Sequence, residues 1–240
     1  MKVHISYADG RYLESQEQCR RSALAIGGFD QSIALGRKDL DPDFLKRNHP
    51  ILSRPRGAGY WLWKPYVILK TLRSLRPDDW LFYTDAGCLF QRPIQPMIDL
   101  ESSRIERHGI LMFESDHLER AYCKRDAFIL MGVDSPRFAD TPQCVAGFLL
   151  LRPTAFAMRF VESWLRWARD PRVLTDMGNT RGLPNYPDFR DHRHDQAILS
   201  LLGKMHDVQR IEDPSQWGDP PRGSREPEHR RIVLLTRDPR

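Results

Sequence analysis

The stretch RGAGYWLWKPYVILKTLRSLRPDDWLFYTDAGCLF, residues 56–90, constrains the fold more than any other part of the chain. Pro65 suits the first turn of a helix, where its missing N–H costs nothing, and Val67, Ile68, Leu72 and Leu75 recur at helical spacing to about residue 75. Pro77, Asp78 and Asp79 then stop that helix. Trp80, Leu81, Phe82 and Tyr83 follow as a bulky apolar run with no polar alternate positions. That is the pattern of a strand covered on both faces, and it ends on Asp85-Ala86-Gly87. A helix feeding a doubly covered strand predicts a sheet with helices on both sides.

The same alternation runs through most of the chain. Residues 2–8 read as a strand ending at Asp9-Gly10, residues 14–26 as a helix stopped by Gly27-Gly28, and residues 32–35 as a second strand. A short helix is expected near 43–47 and another near 93–103, with strands at 109–113 (GILMF) and 143–151 (QCVAGFLLL). Thr154 opens the clearest helix, 155–169, with Phe156, Phe160, Val161, Trp164, Leu165 and Ala168 on one stripe and Arg159, Glu162, Arg166 and Arg169 off it. Such a stripe covers a sheet or lies on a membrane surface. A loop at 177–189, a helix at 195–202 and a last edge strand at 232–235 complete the reading. The expected fold class is α/β, an open mixed sheet flanked by helices, and such sheets bind ligands beyond the carboxyl ends of their strands.

At 240 residues the chain is long enough for one large domain or two small ones. Its 37 Lys+Arg against 32 Asp+Glu leave +5, which suits an anionic small molecule, an anionic membrane or nucleic acid alike. No Cys/His finger, RNP-like motif or clustered basic helix is present, so no nucleic-acid partner is expected. Cys19, Cys88, Cys123 and Cys144 form no CxxC pair and read as buried, reduced thiols. The N-terminus turns polar within ten residues and the longest apolar run is VAGFLLL, so a cytoplasmic location is expected.

Four constellations carry possible chemistry. Asp85 places a carboxylate at a strand end, with Gly87 allowing close backbone approach; the plain alternative is a turn aspartate. In Arg56-Gly57-Ala58-Gly59-Tyr60-Trp61-Leu62-Trp63-Lys64, aromatic faces such as Trp63 suit a base or sugar, and Lys64 stands at a helix start; the alternative is an aromatic packing corner. His192-Arg193-His194-Asp195-Gln196 opens a helix, where Asp195 is either functional or a cap, and two histidines two apart do not form a helical zinc pair. Lys124, Arg125 and Asp126 form a charged trio whose plain reading is a solvated turn.

Taken in order, these segments resemble the GT-A type glycosyltransferases that use nucleotide sugars: a basic residue opening a helix (Lys64), a strand ending in a DxD-like motif (Asp85-Ala86-Gly87), a strand in place of "NAG" (Val145-Ala146-Gly147), and a helix opening on "DQ" (Asp195-Gln196). The resemblance covers about residues 1–205 and is nearest to bacterial polysaccharide-type transferases with a GYWxWKP segment. It implies one domain, with a donor-nucleotide half at about 1–113, an acceptor and catalytic half at about 114–215, and a tail at about 216–240 that acts as a lid or makes a weak peripheral membrane contact. It implies that Asp85, Lys64, Gly87, Lys124 and Asp126 bind the donor, and that Asp195 acts in catalysis as base or charge stabiliser. Trp63, Gln143, Gly147, His194 and Gln196 are implied to contact sugars or acceptor. The implied partners are a nucleotide-sugar donor and a glycan or lipid-linked acceptor in surface polysaccharide synthesis. A catalytically silent binding domain of the same fold is the alternative. Two positions depart from the pattern: Gly87 stands for the second acid of DxD and Val145 for the Asn of NAG. A divalent cation, Mn or Mg, would therefore rest on Asp85 with help from His229 or His206.

Overall fold

The computed structural model describes residues 1–216 and 231–236. Six strands form the main sheet: β1 (Lys2–Tyr7), β2 (Gln31–Leu35), β3 (Trp80–Asp85), β5 (Ile110–Leu118), β6 (Pro142–Leu151) and β7 (Gln209–Glu212), in the order β2-β1-β3-β6-β5-β7. β1 runs parallel to β2 and β3, β6 is antiparallel to both β3 and β5, and β5 is parallel to β7. Only β6 is reversed, so the carboxyl ends of the other five share one edge of the sheet. That makes the fold class the expected mixed α/β sheet.

Two apolar layers hold the sheet. On one face, Val3, Ile5, Leu81, Tyr83, Leu149 and Leu151 meet the Trp63–Leu72 helix, the Ala155–Ala168 helix and the Asp195–Met205 helix. On the other, Phe82, Leu111, Phe113, Phe148 and Leu150 meet Cys19 and Ala23 of the Leu13–Ala25 helix and Met97, Ile98 and Ile105 of the Gln95–Ile105 helix. The alternating assignment of Leu81 and Phe82 to opposite layers explains why this strand needs apolar residues at every position.

Elements with strong periodicity fall close to expectation. The Ala155–Ala168 helix is capped by Thr154 Oγ1, which accepts from Ala157 N at 3.0 Å, and Val161 and Trp164 are fully buried. Its stripe is core packing. No helix among the described residues is long and apolar enough to cross a membrane. All four cysteines are buried and unpaired.

Three differences have local causes. The helix expected from Pro65 begins at Trp63, because the preceding residues already turn, and it ends at Leu72. The strand expected at 232–235 pairs outside the main sheet: β8 (Val233–Leu235) runs antiparallel to β4 (Cys88–Phe90), a strand three residues long that sequence pattern alone does not reveal. The Lys124–Asp126 trio is no solvated turn, since Lys124 and Asp126 are buried. His229 and most of the tail fall outside the described residues.

Candidate active site

The carboxyl edge of the parallel strands opens into a cleft of ≈ 1920 Å³. Tyr7 ends β1 with Ala8 and Asp9 after it, Arg37 follows β2, Asp85 ends β3 with Ala86 and Gly87 after it, and Glu114–Leu118 with Glu212 and Asp213 close the far side. Arg56, Gly57, Ala58, Trp61 and Trp63 form a wall, and Gly147 and Gln196 lie in the lining.

Three residues singled out in the sequence converge at its floor. Lys64 Nζ is 3.1 Å from Asp85 Oδ1, 3.0 Å from Asp195 Oδ2, and donates to Ala146 O at 3.0 Å. Lys64 is enclosed, with 3% of its side chain exposed, as is Asp195 at 5%, whereas Asp85 at 42% is the member that reaches the cleft. An ammonium has three N–H groups and here it meets three acceptors. Lys64 therefore has its charge matched by two carboxylates before any phosphate arrives, and its bond to Ala146 O ties it to strand β6. Tyr83 Oη also donates to Asp85 Oδ1, at 2.7 Å.

The electrostatics follow from burial. Desolvation pulls the Lys64 ammonium down, but Asp195 and Asp85 together more than offset it, so the lysine stays charged. Burial raises Asp195 to about 6, against the opposing pull of Lys64. One cation thus serves two carboxylates, and burial keeps a proton on Asp195 up to about pH 6.

The backbone that meets these side chains is irregular. Between β5 and β6 the register shifts from Leu111↔Leu150 to Phe113↔Val145, so four residues of β6, 146–149, face the single Met112. This bulge frees the Ala146 peptide: its oxygen accepts from Lys64, and its N–H donates to Gln196 Oε1 at 3.2 Å. Gln196 Nε2 donates to Gln143 Oε1 at 2.7 Å, and Gln143 Nε2 to Glu119 Oε2 at 2.8 Å. Glu119 is wholly buried and also accepts from Ser200 Oγ and from Lys204 Nζ at 2.6 Å. A carboxylate that only accepts fixes which way both amides face, and Gln196 lines the cleft with its amide orientation set. Asp195 is held from behind, where Trp164 Nε1 donates to its carbonyl at 3.0 Å.

The wall leading into Lys64 is a left-handed turn. Gly57, Ala58, Gly59, Tyr60 and Trp61 all have φ between 50° and 98°. Glycine is required twice: a Cβ on Gly57 would lie 2.4 Å from the Trp61 ring, and one on Gly59 2.6 Å from Leu52 Cα. Ala58, Tyr60 and Trp61 bear the ordinary penalty of this region, about 1–2 kcal/mol each. His194, just before Asp195, is also strained, with φ 51° and ψ −115°. Strain of this kind on both sides of one ion triad marks a site whose geometry is imposed by its surroundings.

The other sequence-selected residues are placed as follows. Trp63 lies in the cleft wall, stacked on Tyr7 at 3.8 Å between ring centroids, with Nε1 donating to Gly57 O at 3.0 Å. Gly147 lies beneath Asp85, 3.6 Å separating Oδ2 from where a Cβ would be. His194 is buried against Tyr60 and Trp61, its Nδ1 2.8 Å from Leu174 O, and does not line the cleft. Lys124 and Asp126 are not brought to it either. Lys124 Nζ donates to Thr175 O and Met177 O, and Asp126 accepts from Thr180 N, Thr180 Oγ1 and Arg181 N, so both pin the 175–181 loop. His206 packs on Phe156 and Phe160. Sequence reasoning missed Glu119 and Trp164 because neither touches a motif until the chain folds, and it missed Arg37 and Arg54 because isolated arginines carry no pattern.

The residues present fit a divalent cation poorly. Among the described residues no group of three His, Cys, Asp or Glu side chains is arranged to hold one. Asp85 Oδ1 already serves Lys64 and Tyr83, which leaves one oxygen of one carboxylate. Lys64 holds a fixed positive charge 3.1 Å from that carboxylate.

No protein-family model matches the chain, and no curated protein matches it in sequence. Solved structures do share its architecture. Galactosyltransferase LgtC in complex with donor and acceptor sugar analogues is 14% identical with TM-score 0.51, over 100% of this chain and 88% of that one. An active-site mutant of LgtC is 13% identical with TM-score 0.52, over 99% and 88%. A glycosyltransferase involved in glycosylation of the major capsid of PBCV-1 is 11% identical with TM-score 0.52, over 98% and 92%. The chain therefore has the fold of the GT-A type glycosyltransferases along nearly its whole length.

Proposed function

We propose that the protein is a glycosyltransferase that moves a sugar from a nucleoside-diphosphate sugar to a hydroxyl of a glycan or lipid-linked acceptor, in surface polysaccharide synthesis. The observation that carries this reading is the Lys64–Asp85–Asp195 triad at the carboxyl edge of a sheet whose architecture glycosyltransferases share. The cleft, at ≈ 1920 Å³, exceeds the 300–1,000 Å³ or so of a single-ligand pocket and accommodates a donor and an acceptor together.

In the reaction the bond between the anomeric carbon and the diphosphate oxygen breaks with its electron pair on the phosphate, and the acceptor oxygen bonds to the same carbon and gives up its proton. Asp85 is the carboxylate that reaches the sugar or ribose. Asp195, held 3.0 Å from Lys64, supplies negative charge behind the positive charge that builds on the anomeric carbon, and ionises above about pH 6. Gln196, its amide orientation set, lines the cleft where a sugar hydroxyl would lie. Trp61, partly exposed in the wall, offers an apolar face to a ring, while Trp63 is buried with its face on Tyr7. With Gly87 and Val145 in place of the usual acid and amide, the second reading is a domain that binds the nucleotide sugar without turning it over.

Thermal shift and calorimetry with a panel of UDP-, GDP-, dTDP- and CMP-sugars test the reading. At least one donor is expected to raise Tm by several degrees, a stabilisation that rises with ligand concentration. No stabilisation by any of them, with or without manganese, overturns it. Binding without release of nucleotide favours the silent domain.

A further inference from the structure

We propose that this site holds its diphosphate on guanidinium groups alone, with no divalent cation between protein and phosphate. The inference rests on the nucleotide-sugar reading and goes beyond it.

The first observation is steric. Gly87 stands where a second metal-binding acid would be, and a Cβ there would lie 2.6 Å from Thr236 O. Thr236 in turn donates to Gly87 O through both N (2.7 Å) and Oγ1 (2.8 Å). The β4–β8 pair thus closes over position 87 and excludes any side chain from it. Backbone fills that place, and a carboxylate could enter it only by displacing β8.

The second observation is electrostatic. Lys64 already stands between Asp85 and Asp195, enclosed and contacting three acceptors. A divalent ion on the remaining Asp85 oxygen would face a fixed ammonium on the same carboxylate, and no group of three His, Cys, Asp or Glu side chains among the described residues is arranged to complete its shell. Repulsion and an incomplete shell oppose it together.

The third observation supplies the alternative. Arg11, Arg37 and Arg54 line the cleft beyond the ends of β1 and β2, and none has a carboxylate within 4.0 Å among the described residues. Arg56 beside them is matched by Asp176 and Asp191, so its charge is already compensated. Asp9 is the carboxylate on that wall. A net excess of guanidinium groups, each a planar fork that fits phosphate oxygens in pairs, faces the place where a diphosphate of two or so negative charges would lie.

The test is calorimetric titration of UDP, GDP, dTDP and CDP into the full chain, first in EDTA and then in manganese, with the paramagnetic resonance of free manganese followed in parallel. The expected result is a nucleotide whose Kd changes less than about threefold between the two conditions, and a manganese signal that stays that of the free ion with nucleotide controls subtracted. Arg37→Ala and Arg54→Ala should each weaken binding about tenfold or more in EDTA at unchanged Tm. Arg37→Lys should recover part of the loss, since charge remains while the fork is gone. Binding that needs manganese overturns the proposal and leaves the nucleotide-sugar reading standing. Binding in EDTA that is indifferent to both arginines also overturns it. No binding in either condition overturns the nucleotide-sugar reading, and this proposal with it.

Discussion

At the scale of single residues, the centre of the site is one ammonium shared by two carboxylates. Lys64, Asp85 and Asp195 come from three separate elements, and each was legible in the sequence for a local reason: a basic residue at a helix start, an acid at a strand end, an acid before an apolar helix. What was not legible is that Lys64 is buried. That depends on the β6 bulge, whose freed Ala146 carbonyl completes its shell. The buried Asp195 has a stability consequence that can be read. Its carboxyl is raised from 3.8 to about 6, so between those values the folded chain holds a proton that the unfolded chain releases. The group's contribution to stability is therefore present at low pH and lost as pH rises through about 6. Unfolding of the protein and of Asp195→Asn, followed in urea from pH 7 to pH 4, should show the difference moving in favour of the unmodified chain by roughly 2–3 kcal/mol. A difference that stays flat across that range contradicts the assignment.

At the scale of elements, the strong periodic signals were read from sequence within a few residues, and the failures were of another kind. β4 and β7 are short and carry no alternation, and the reversal of β6 leaves no trace in its composition because it is covered on both faces in either direction. The closeness of Thr236 to Gly87, 149 positions apart, is set by tertiary pairing alone. The left-handed turn at 57–61 was visible only as an isolated GxG, yet it builds the cleft wall and aims the helix that bears Lys64. Its energetics are testable. Ala58 at φ 50° carries the left-handed penalty, and Ala58→Gly relieves it against a smaller loss of chain entropy and a half-buried methyl, for a gain of up to about 1 kcal/mol. Gly59→Ala, which sets a Cβ against the Leu52 backbone, should lose about 2 kcal/mol or more. Denaturant midpoints at equal m-value measure both, and a destabilised Ala58→Gly would show that the turn is not strained as described.

At the scale of the whole molecule, the modest +5 of the sequence is divided unevenly around the cleft, with Arg11, Arg37 and Arg54 on the β1–β2 side and Asp116, Glu212, Asp213 and an Arg210-paired Glu114 on the β5–β7 side. A donor with a diphosphate and an acceptor rich in hydroxyls would be received by opposite ends of such a cleft, with Asp85 between them. The fold class followed from strand and helix alternation; the division of charge did not, because it depends on which loop ends meet at the sheet edge. The central claim is that the Asp85 carboxylate, held by Lys64, takes part in transfer from a nucleotide sugar. It is tested most directly by measuring nucleotide released from the donor that binds best, for the unmodified chain and for Asp85→Asn, with folding checked by Tm. Steady release is expected from the unmodified chain and at least about a hundredfold less from the variant, with Tm values within a few degrees. Equal rates from the two, or no release from any donor that binds, would contradict it.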